Sequence, residues 1–149
     1  MLDKNAVGRT TPPTLNEIEK GAIRRFAEAL GDYNPIYYDE DYARASGFAN
    51  VVAPPSFPCA FATGADLREL LGVPLRSLLN AEASFEYERP IVAGDRILVT
   101  SRVADVQERP SSTGKMEIAV LEDEGRDENG KLVYRMRRTL VVRGGKENG

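Results

Sequence analysis

Residues 26–57 read FAEALGDYNPIYYDEDYARASGFANVVAPPSF, and this stretch carries most of the information about the fold. Its first residues are the last turn of a predicted helix, which ends at Gly31. The sequence Asp-Tyr-Asn-Pro that follows is typical of a turn. A short helix is predicted near residues 39–45. The two prolines at 54 and 55 are typical of the first turn of another helix. The stretch therefore predicts two helices around a tight turn and a third helix that begins near residue 56.

Upstream of this turn, a helix is predicted over residues 15–30. Thr14 and Glu17 stand three residues apart, as in a capping box, and apolar residues then recur at helical spacing. Two prolines exclude a helix immediately before it, so residues 7–13 are expected to form a short strand or an extended arm.

Downstream, residues 56–71 are apolar or small on nearly every side in their first half, which predicts a long buried helix. Gly64 within it suggests close approach of a neighbouring segment or of a ligand. Four strands are predicted after it, at about 81–90, 96–107, 116–123 and 131–142. A group of helices followed by a group of strands predicts an α+β fold, in which a curved antiparallel sheet wraps the long central helix.

Such a sheet leaves an edge strand exposed, and pairing of two edges is one way to cover it. We therefore expect a homodimer or higher oligomer, or a heterodimer. The 149 residues are expected to form one domain, with residues 1–8 and 144–149 flexible.

The composition excludes several classes of function. The net charge is −3 and no basic block occurs, so neither nucleic acid nor a membrane surface is an expected partner. No segment approaches the ~20 apolar residues of a membrane span. The single cysteine, Cys59, excludes an intrachain disulfide, fits a cytoplasmic location and is expected to be a buried thiol. No metal or cofactor is expected.

The chain contains no histidine at all. This excludes, within the chain, a Ser-His-Asp triad, histidine metal ligands and a His–Asp pair for adding or removing water. A general base must come from Asp, Glu, Tyr, Lys or the cysteine, or from another chain.

Two motifs, in order and at similar spacing, resemble the MaoC-like hydratases and dehydratases. Gly31 to Tyr37, G-D-Y-N-P-I-Y, resembles the G-D-x-N-P-x-H motif of (R)-specific enoyl-CoA hydratases and type 2 hydroxyacyl-thioester dehydratases. Tyr87 to Asp95, Y-E-R-P-I-V-A-G-D, resembles the R-P-I-x-x-G-D segment of the same family. The resemblance spans about residues 15–143. It implies a hotdog fold, a site between two subunits, and an acyl-CoA or acyl-carrier thioester as the ligand.

In that family an Asp and a His hold a water beside the α,β double bond, and backbone N–H groups at the start of the buried helix polarise the thioester carbonyl. Here Tyr37 occupies the place of the His, and Pro55, which has no N–H, occupies the place of a Gly. The chain is thus similar to the degenerate hotdog that some family members pair with a catalytic one. Catalytic-site positions are expected at Asp32, Asn34 and Tyr37. Substrate-binding positions are expected at Pro55, Ser56, Phe57, Phe61 and Gly64.

Three functions follow from this resemblance and stay open at this point. The chain can be a thioester-binding subunit that supports a His-bearing partner. It can be an atypical hydratase or a thioesterase that uses Asp32 as the base. It can be a thioester sensor or a structural hotdog without activity. Asp32 and Asn34 also suit an ordinary turn, the tyrosines at 33, 37, 38 and 42 suit packing or an interface, and Ser56 suits a helix cap.

Overall fold

The computed structural model of the chain describes residues 2–64, 66–112 and 114–142. Its strands are β1 (Thr14–Glu17), β2 (Leu78–Tyr87), β3 (Arg96–Ser111), β4 (Gly114–Arg126) and β5 (Leu132–Val142). They form one antiparallel sheet in the order β1-β3-β4-β5-β2. Its α-helices are α1 (Lys20–Leu30), α2 (Glu40–Ala45) and α3 (Leu67–Leu71), and 3₁₀ turns lie at Lys4–Ala6, Pro35–Tyr37, Phe57–Ala60 and Leu75–Ser77. Helices that precede a long antiparallel sheet give the expected α+β architecture.

The four long strands are confirmed, because alternation of apolar and polar residues is a direct signature of a sheet with one covered face. In β3 the buried residues Ile97, Val99, Ser101 and Val103 alternate with more exposed ones. The β3–β4 ladder continues to the pair Ser111 and Gly114, which makes both strands longer than predicted.

The helix predicted over residues 15–30 begins only at Lys20, and residues 14–17 are a strand instead. β1 pairs with β3, and the backbone of Ile18 exchanges hydrogen bonds with Gly94 and Asp95 at 2.8 and 2.9 Å. Thr14 therefore does not cap the helix. The predicted capping box is overridden by the hydrogen-bonding edge that β3 offers. The remainder of α1 is as predicted, with Ile23 and Ala27 buried and Gly31 in the left-handed conformation at its end.

The long helix predicted at 56–71 is wrong in the described residues. A 3₁₀ turn, Phe57–Ala60, is followed by residues 61–64, which are not helical, and α3 begins at Leu67. The amide of Asn16 explains part of the break, because it donates to the Ala62 carbonyl at 2.8 Å and accepts from the Ala62 N–H at 2.9 Å. These two bonds hold the Ala62 backbone to β1 in place of a helical neighbour.

Two details of this segment also differ from expectation. The hydroxyl of Ser56 makes no capping hydrogen bond, and the thiol of Cys59 is on an exposed residue. A 3₁₀ turn presents fewer free N–H groups in line than an α-helix, so a cap has less to satisfy.

Two hydrophobic clusters cover the inner face of the sheet. The first cluster joins α1, the 51–57 segment and the sheet, and its buried members are Ile18, Ile23, Ala43, Val51, Ala53, Phe57, Ile91, Ala93, Ile97, Val99, Val133, Tyr134 and Met136. The second cluster joins the chain start, α3 and the sheet, and its buried members are Leu2, Ala6, Leu70, Leu71, Val73, Val103, Ala119, Leu121, Leu140 and Val142. At the chain start Leu2 and Ala6 are buried, whereas Val7 is 48% exposed, and the expected flexibility of residues 1–8 stays a prediction. The predicted flexible segment 144–149 lies outside the described residues.

Within the part of the chain that the structure describes, no helix has the length and apolar character needed to cross a membrane.

Candidate functional site

The corner after α1 carries Asp32 and Asn34, and both side chains are exposed. Oδ1 of Asp32 accepts a hydrogen bond from the Asn34 N–H at 3.1 Å. Oδ1 of Asn34 accepts one from the Ile36 N–H, also at 3.1 Å, and so caps the 3₁₀ turn Pro35–Tyr37. The two side chains shape the local turn and leave their second polar atoms toward solvent.

Tyr37 is brought to the same corner and is partly buried against the first cluster. Burial, and then the negative charge of Asp32, raise the pKa of the Tyr37 phenol above its ordinary value. The phenol therefore keeps its proton at neutral pH and is a hydrogen-bond donor rather than a base. The hydroxyl of Tyr38 donates to the Asp32 carbonyl at 2.7 Å and fixes the turn from the other side.

A pocket of about 440 Å³ adjoins this corner. It is lined by Lys20, Gly21, Arg24, Tyr37, Tyr38, Glu40 and Val51. Arg24 lies over the Tyr38 ring at 6.0 Å, whereas Lys20 is engaged by Glu40. The Arg24 cation is positioned to interact with an anionic group that enters the pocket.

Phe57 and Phe61 are brought together in a set of aromatic contacts that we call the aromatic row: Phe26, Phe57, Phe61, Tyr134, Tyr87 and Phe85. Successive ring centroids are 5.4, 5.4, 5.8, 6.0 and 6.5 Å apart. Phe57 is buried, while Phe61 is partly exposed at the surface of the first cluster. The row is an apolar wall that runs from α1 to the edge strand β2.

The other three predicted substrate-binding residues have different surroundings. The carbonyl of Pro55 accepts a hydrogen bond from the Tyr87 hydroxyl at 2.5 Å, which ties it to the aromatic row. Ser56 follows at the start of the 3₁₀ turn. A Cβ on Gly64 would lie 2.7 Å from Oγ1 of Thr14 and 3.1 Å from the Pro12 carbonyl. The close approach at Gly64 is thus made by the first residue of β1 and by Pro12 just before the strand.

One group of polar residues was missed by the sequence analysis. Ser101, Asp123 and Arg138 project from neighbouring strands onto the inner face of the sheet, and we call them the polar row. Ser101 and Asp123 are each 1% exposed. The sequence did contain a sign of this burial. Asp123 stands two residues after the apolar Leu121 in a predicted strand, so the two side chains lie on the same face of the sheet.

Among residues 2–64, 66–112 and 114–142, no group of His, Cys, Asp and Glu has the arrangement of a metal site. The structure thus offers a carboxylate, an amide and a protonated phenol at one corner, an aromatic row that starts at α1, and a charged pair on the inner face of the sheet.

The sequence matches the family model of the FAS1-like dehydratase domain region over residues 5–136. It is 39% identical over 151 aligned residues to a UPF0336 protein of Streptomyces griseus, with 98% of each chain covered.

Two solved structures of dehydratases share this fold. A chain of the HadBC complex of Mycobacterium tuberculosis, a 3R-hydroxyacyl-ACP dehydratase, aligns with a TM-score of 0.75 at 22% identity, covering 91% of this chain and 96% of that one. A MaoC-like dehydratase aligns with a TM-score of 0.79 at 26% identity, where 93% of this chain matches 42% of a longer one. The fold is a hotdog, as expected, although its central helix is broken. The chain therefore belongs to the FAS1-like dehydratase domain family, whose structural relatives are the MaoC-like hotdog dehydratases.

Proposed function

We propose that this chain is the thioester-binding member of a two-component enoyl hydratase or 3-hydroxyacyl-thioester dehydratase, and that a partner subunit supplies the imidazole. The observation that carries the proposal is the absence of any histidine, with a phenol of raised pKa at the motif position Tyr37. Asp32, Asn34 and Tyr37 would then bind and orient the thioester end of the ligand, while the proton transfers occur on the partner.

The lost helix supports a binding role rather than a catalytic one. A long helix whose N-terminus faces the thioester carbonyl stabilises the negative charge that develops there. Here a four-residue 3₁₀ turn takes its place, and Pro55 has no N–H to donate. The chain therefore lacks the histidine base of the family and this form of electrostatic stabilisation.

The aromatic row supports an acyl chain as the ligand. Its partly exposed members, Phe61, Phe85 and Tyr87, present apolar surface next to the Pro55 segment. Burial of an alkyl chain on such a wall contributes roughly 25 cal/mol per Å² of apolar area removed from water. Arg24 beside the corner suits the phosphate of a coenzyme A or acyl-carrier arm.

The edge strand β2 supports a second hotdog as the partner. It is ten residues long, pairs with β5 on one side only among the described strands, and exposes Leu79 by 43%. A long exposed edge of this kind is normally covered by another strand. The similar HadBC chain comes from a complex, and we propose the same kind of pairing here. A free cysteine fits the reducing cytoplasm, where we place the protein.

The test compares the purified chain with the chain mixed with a second hotdog protein of the same organism that carries G-D-x-N-P-x-H. Hydration of crotonyl-CoA is measured for both. We expect activity only in the mixture, and we expect it to be lost when the partner's motif His is replaced by Ala. If Asp32→Asn abolished an activity that the chain has by itself, the chain would be a self-sufficient enzyme instead.

A further inference from the structure

The two hydrophobic clusters meet at the polar row. Val99, Ser101 and Val103 alternate along β3, so that Ser101 lies between a residue of the first cluster and a residue of the second. On β5, Arg138 stands between Met136 of the first cluster and Leu140 of the second. Burying a charged pair at the centre of an otherwise apolar face has a high desolvation cost. Apolar residues of similar size would stabilise the fold at least as much as the pair does. Its position therefore points to a role in binding.

The contacts within the row are well defined. The Ser101 hydroxyl donates to Oδ1 of Asp123 at 2.6 Å. Nη2 of Arg138 lies 3.2 Å from Oδ1 and 3.1 Å from Oδ2 of the same carboxylate. The Asp123 side chain has no exposed area, whereas Arg138 keeps 18%. The row is thus buried at Asp123 and open to solvent at Arg138.

Three buried atoms around this row have no well-aligned hydrogen bond within residues 2–64, 66–112 and 114–142. They are Oδ2 of Asp123, Nε of Arg138 and the hydroxyl of Tyr134. Tyr134 has no exposed area, and its pKa is raised by burial first and by the charge of Asp123 next. It therefore keeps its proton. The hydroxyl of Tyr134 and Nε of Arg138 are thus two donors with no acceptor among the described residues, while Oδ2 of Asp123 has only its 3.1 Å ion-pair contact with Nη2 of Arg138. Buried donors without an acceptor are uncommon.

The unsatisfied atoms are next to surfaces that a ligand can reach. A pocket of about 270 Å³ opens onto Arg138 and is lined also by Cys59 and by residues 80–83 of β2. The Tyr134 ring makes an edge contact with Phe61 of the aromatic row. The reacting end of the ligand is proposed to lie elsewhere, at the corner where Asp32 interacts with Tyr37 and Tyr38.

We infer that the polar row, together with Tyr134, binds a second hydroxyl group carried on the acyl tail beyond its β carbon, so that the chain selects tail-hydroxylated acyl thioesters over unsubstituted ones. This inference rests on the proposed thioester-binding function. A hydroxyl accepts from Tyr134 and Arg138 and donates to Asp123, which matches the unsatisfied set. A carboxylate is repelled by Asp123, an ammonium carries no lone pair that can accept from Tyr134 or Arg138, and an alkyl group leaves both of those donors without an acceptor.

The experiment uses the full chain and calorimetric titration with octanoyl-CoA and with analogues that carry one hydroxyl at successive carbons of the tail from C4 onward. We expect at least one analogue to bind about tenfold or more tightly than octanoyl-CoA, because it satisfies buried donors. In Tyr134→Phe this preference is expected to fall several-fold. The matched control Tyr42→Phe, which removes a phenol hydroxyl from exposed α2, is expected to keep it.

If Tyr134→Phe does not fold, the double variant Asp123→Leu with Arg138→Met replaces the ion pair by apolar residues and is expected to fold and to lose the preference. Equal affinity for octanoyl-CoA and all hydroxylated analogues would overturn the inference, since the row would then hold a buried water only. That result would leave the proposed function standing. Absence of binding by every thioester would overturn the proposed function and the inference together.

Discussion

Gly125 is the residue on which the aromatic row depends most directly. Its place in β4 is opposite Tyr134 in β5, and the Tyr134 ring lies across the glycine. A Cβ at this position would be 2.0 Å from Cε1 and 2.5 Å from Cδ1 of Tyr134, and 2.9 Å from Cγ2 of Ile97. In Gly125→Ala the ring must move, but Phe61 and Tyr87 lie against it.

Overpacking of a core by a methyl group typically costs about 1–3 kcal/mol, and contact with a ring held on both sides places this substitution at the upper end. We expect the free energy of unfolding in urea to fall by about 2–3 kcal/mol, with a decrease in Tm of roughly 4–12 °C. Gly21→Ala is the matched control. Its Cβ meets only Nη1 of Arg25 at 3.4 Å in helix α1, so it is expected to stabilise the chain by up to about 1 kcal/mol.

A second variant tests whether the clash with the Tyr134 ring causes the loss of stability in Gly125→Ala. In a Tyr134→Ala background, which is itself less stable, Gly125→Ala is expected to cost clearly less than in the wild type, because the two nearest ring atoms are gone and only the 2.9 Å contact with Cγ2 of Ile97 remains. An unchanged or raised urea midpoint for Gly125→Ala in the wild-type background would refute the packing described for the row.

Three further substitutions probe caps and charges. Asp39→Ala removes a carboxylate that accepts from two N–H groups of α2 at 2.9 and 3.1 Å, so we expect a loss of about 1 kcal/mol in urea unfolding, with Asp39→Asn losing clearly less. Asp123→Ala leaves Arg138 with a buried, unpaired charge and is expected to cost about 3–5 kcal/mol; a loss below about 1 kcal/mol would contradict the burial of the pair. The hydrogen bond from Lys20 lowers the pKa of Glu40, so the pair stabilises the fold above the ordinary carboxyl value of 4.5 and this contribution disappears as pH falls through the lowered pKa. Glu40→Gln is therefore expected to lose less stability on acidification than the wild type, and an equal loss would argue against the pair.

The strands were predictable because their signal is local and physical. A residue on the covered face of a strand is apolar and its neighbour is polar, and this alternation is visible in β3 and β5 without any partner strand. The helix α2 was predictable for a similar reason, since Asp39 accepts from the first N–H groups of the helix as a cap does.

The two helix predictions that were wrong, at residues 15–30 and 56–71, failed because of contacts with distant parts of the chain. Thr14 and Glu17 fit a capping box, but the edge of β3 takes residues 14–17 into the sheet. The apolar run after residue 56 fits a buried helix, but the Asn16 amide holds the Ala62 backbone from 46 residues away. Contacts of that separation are not visible in a window of helical periodicity.

The candidate site was predictable in part. The position of Phe57 and Phe61 against the core follows from their apolar surroundings, and Asp32 and Asn34 do shape one corner. Their role toward a ligand stays a prediction. The polar row was missed because its three residues are far apart in sequence and only the register of β3, β4 and β5 brings them together.

The central claim is that the chain binds an acyl thioester but does not transform it, and equilibrium dialysis of the full chain against crotonyl-CoA tests this most directly. After equilibration, the thioester on the protein side is quantified and its chemical form is determined by mass spectrometry. The account predicts a saturable excess of crotonyl-CoA on the protein side, recovered unhydrated. Recovery of the 3-hydroxy product from the chain alone, or an equal concentration on both sides of the membrane, would contradict it.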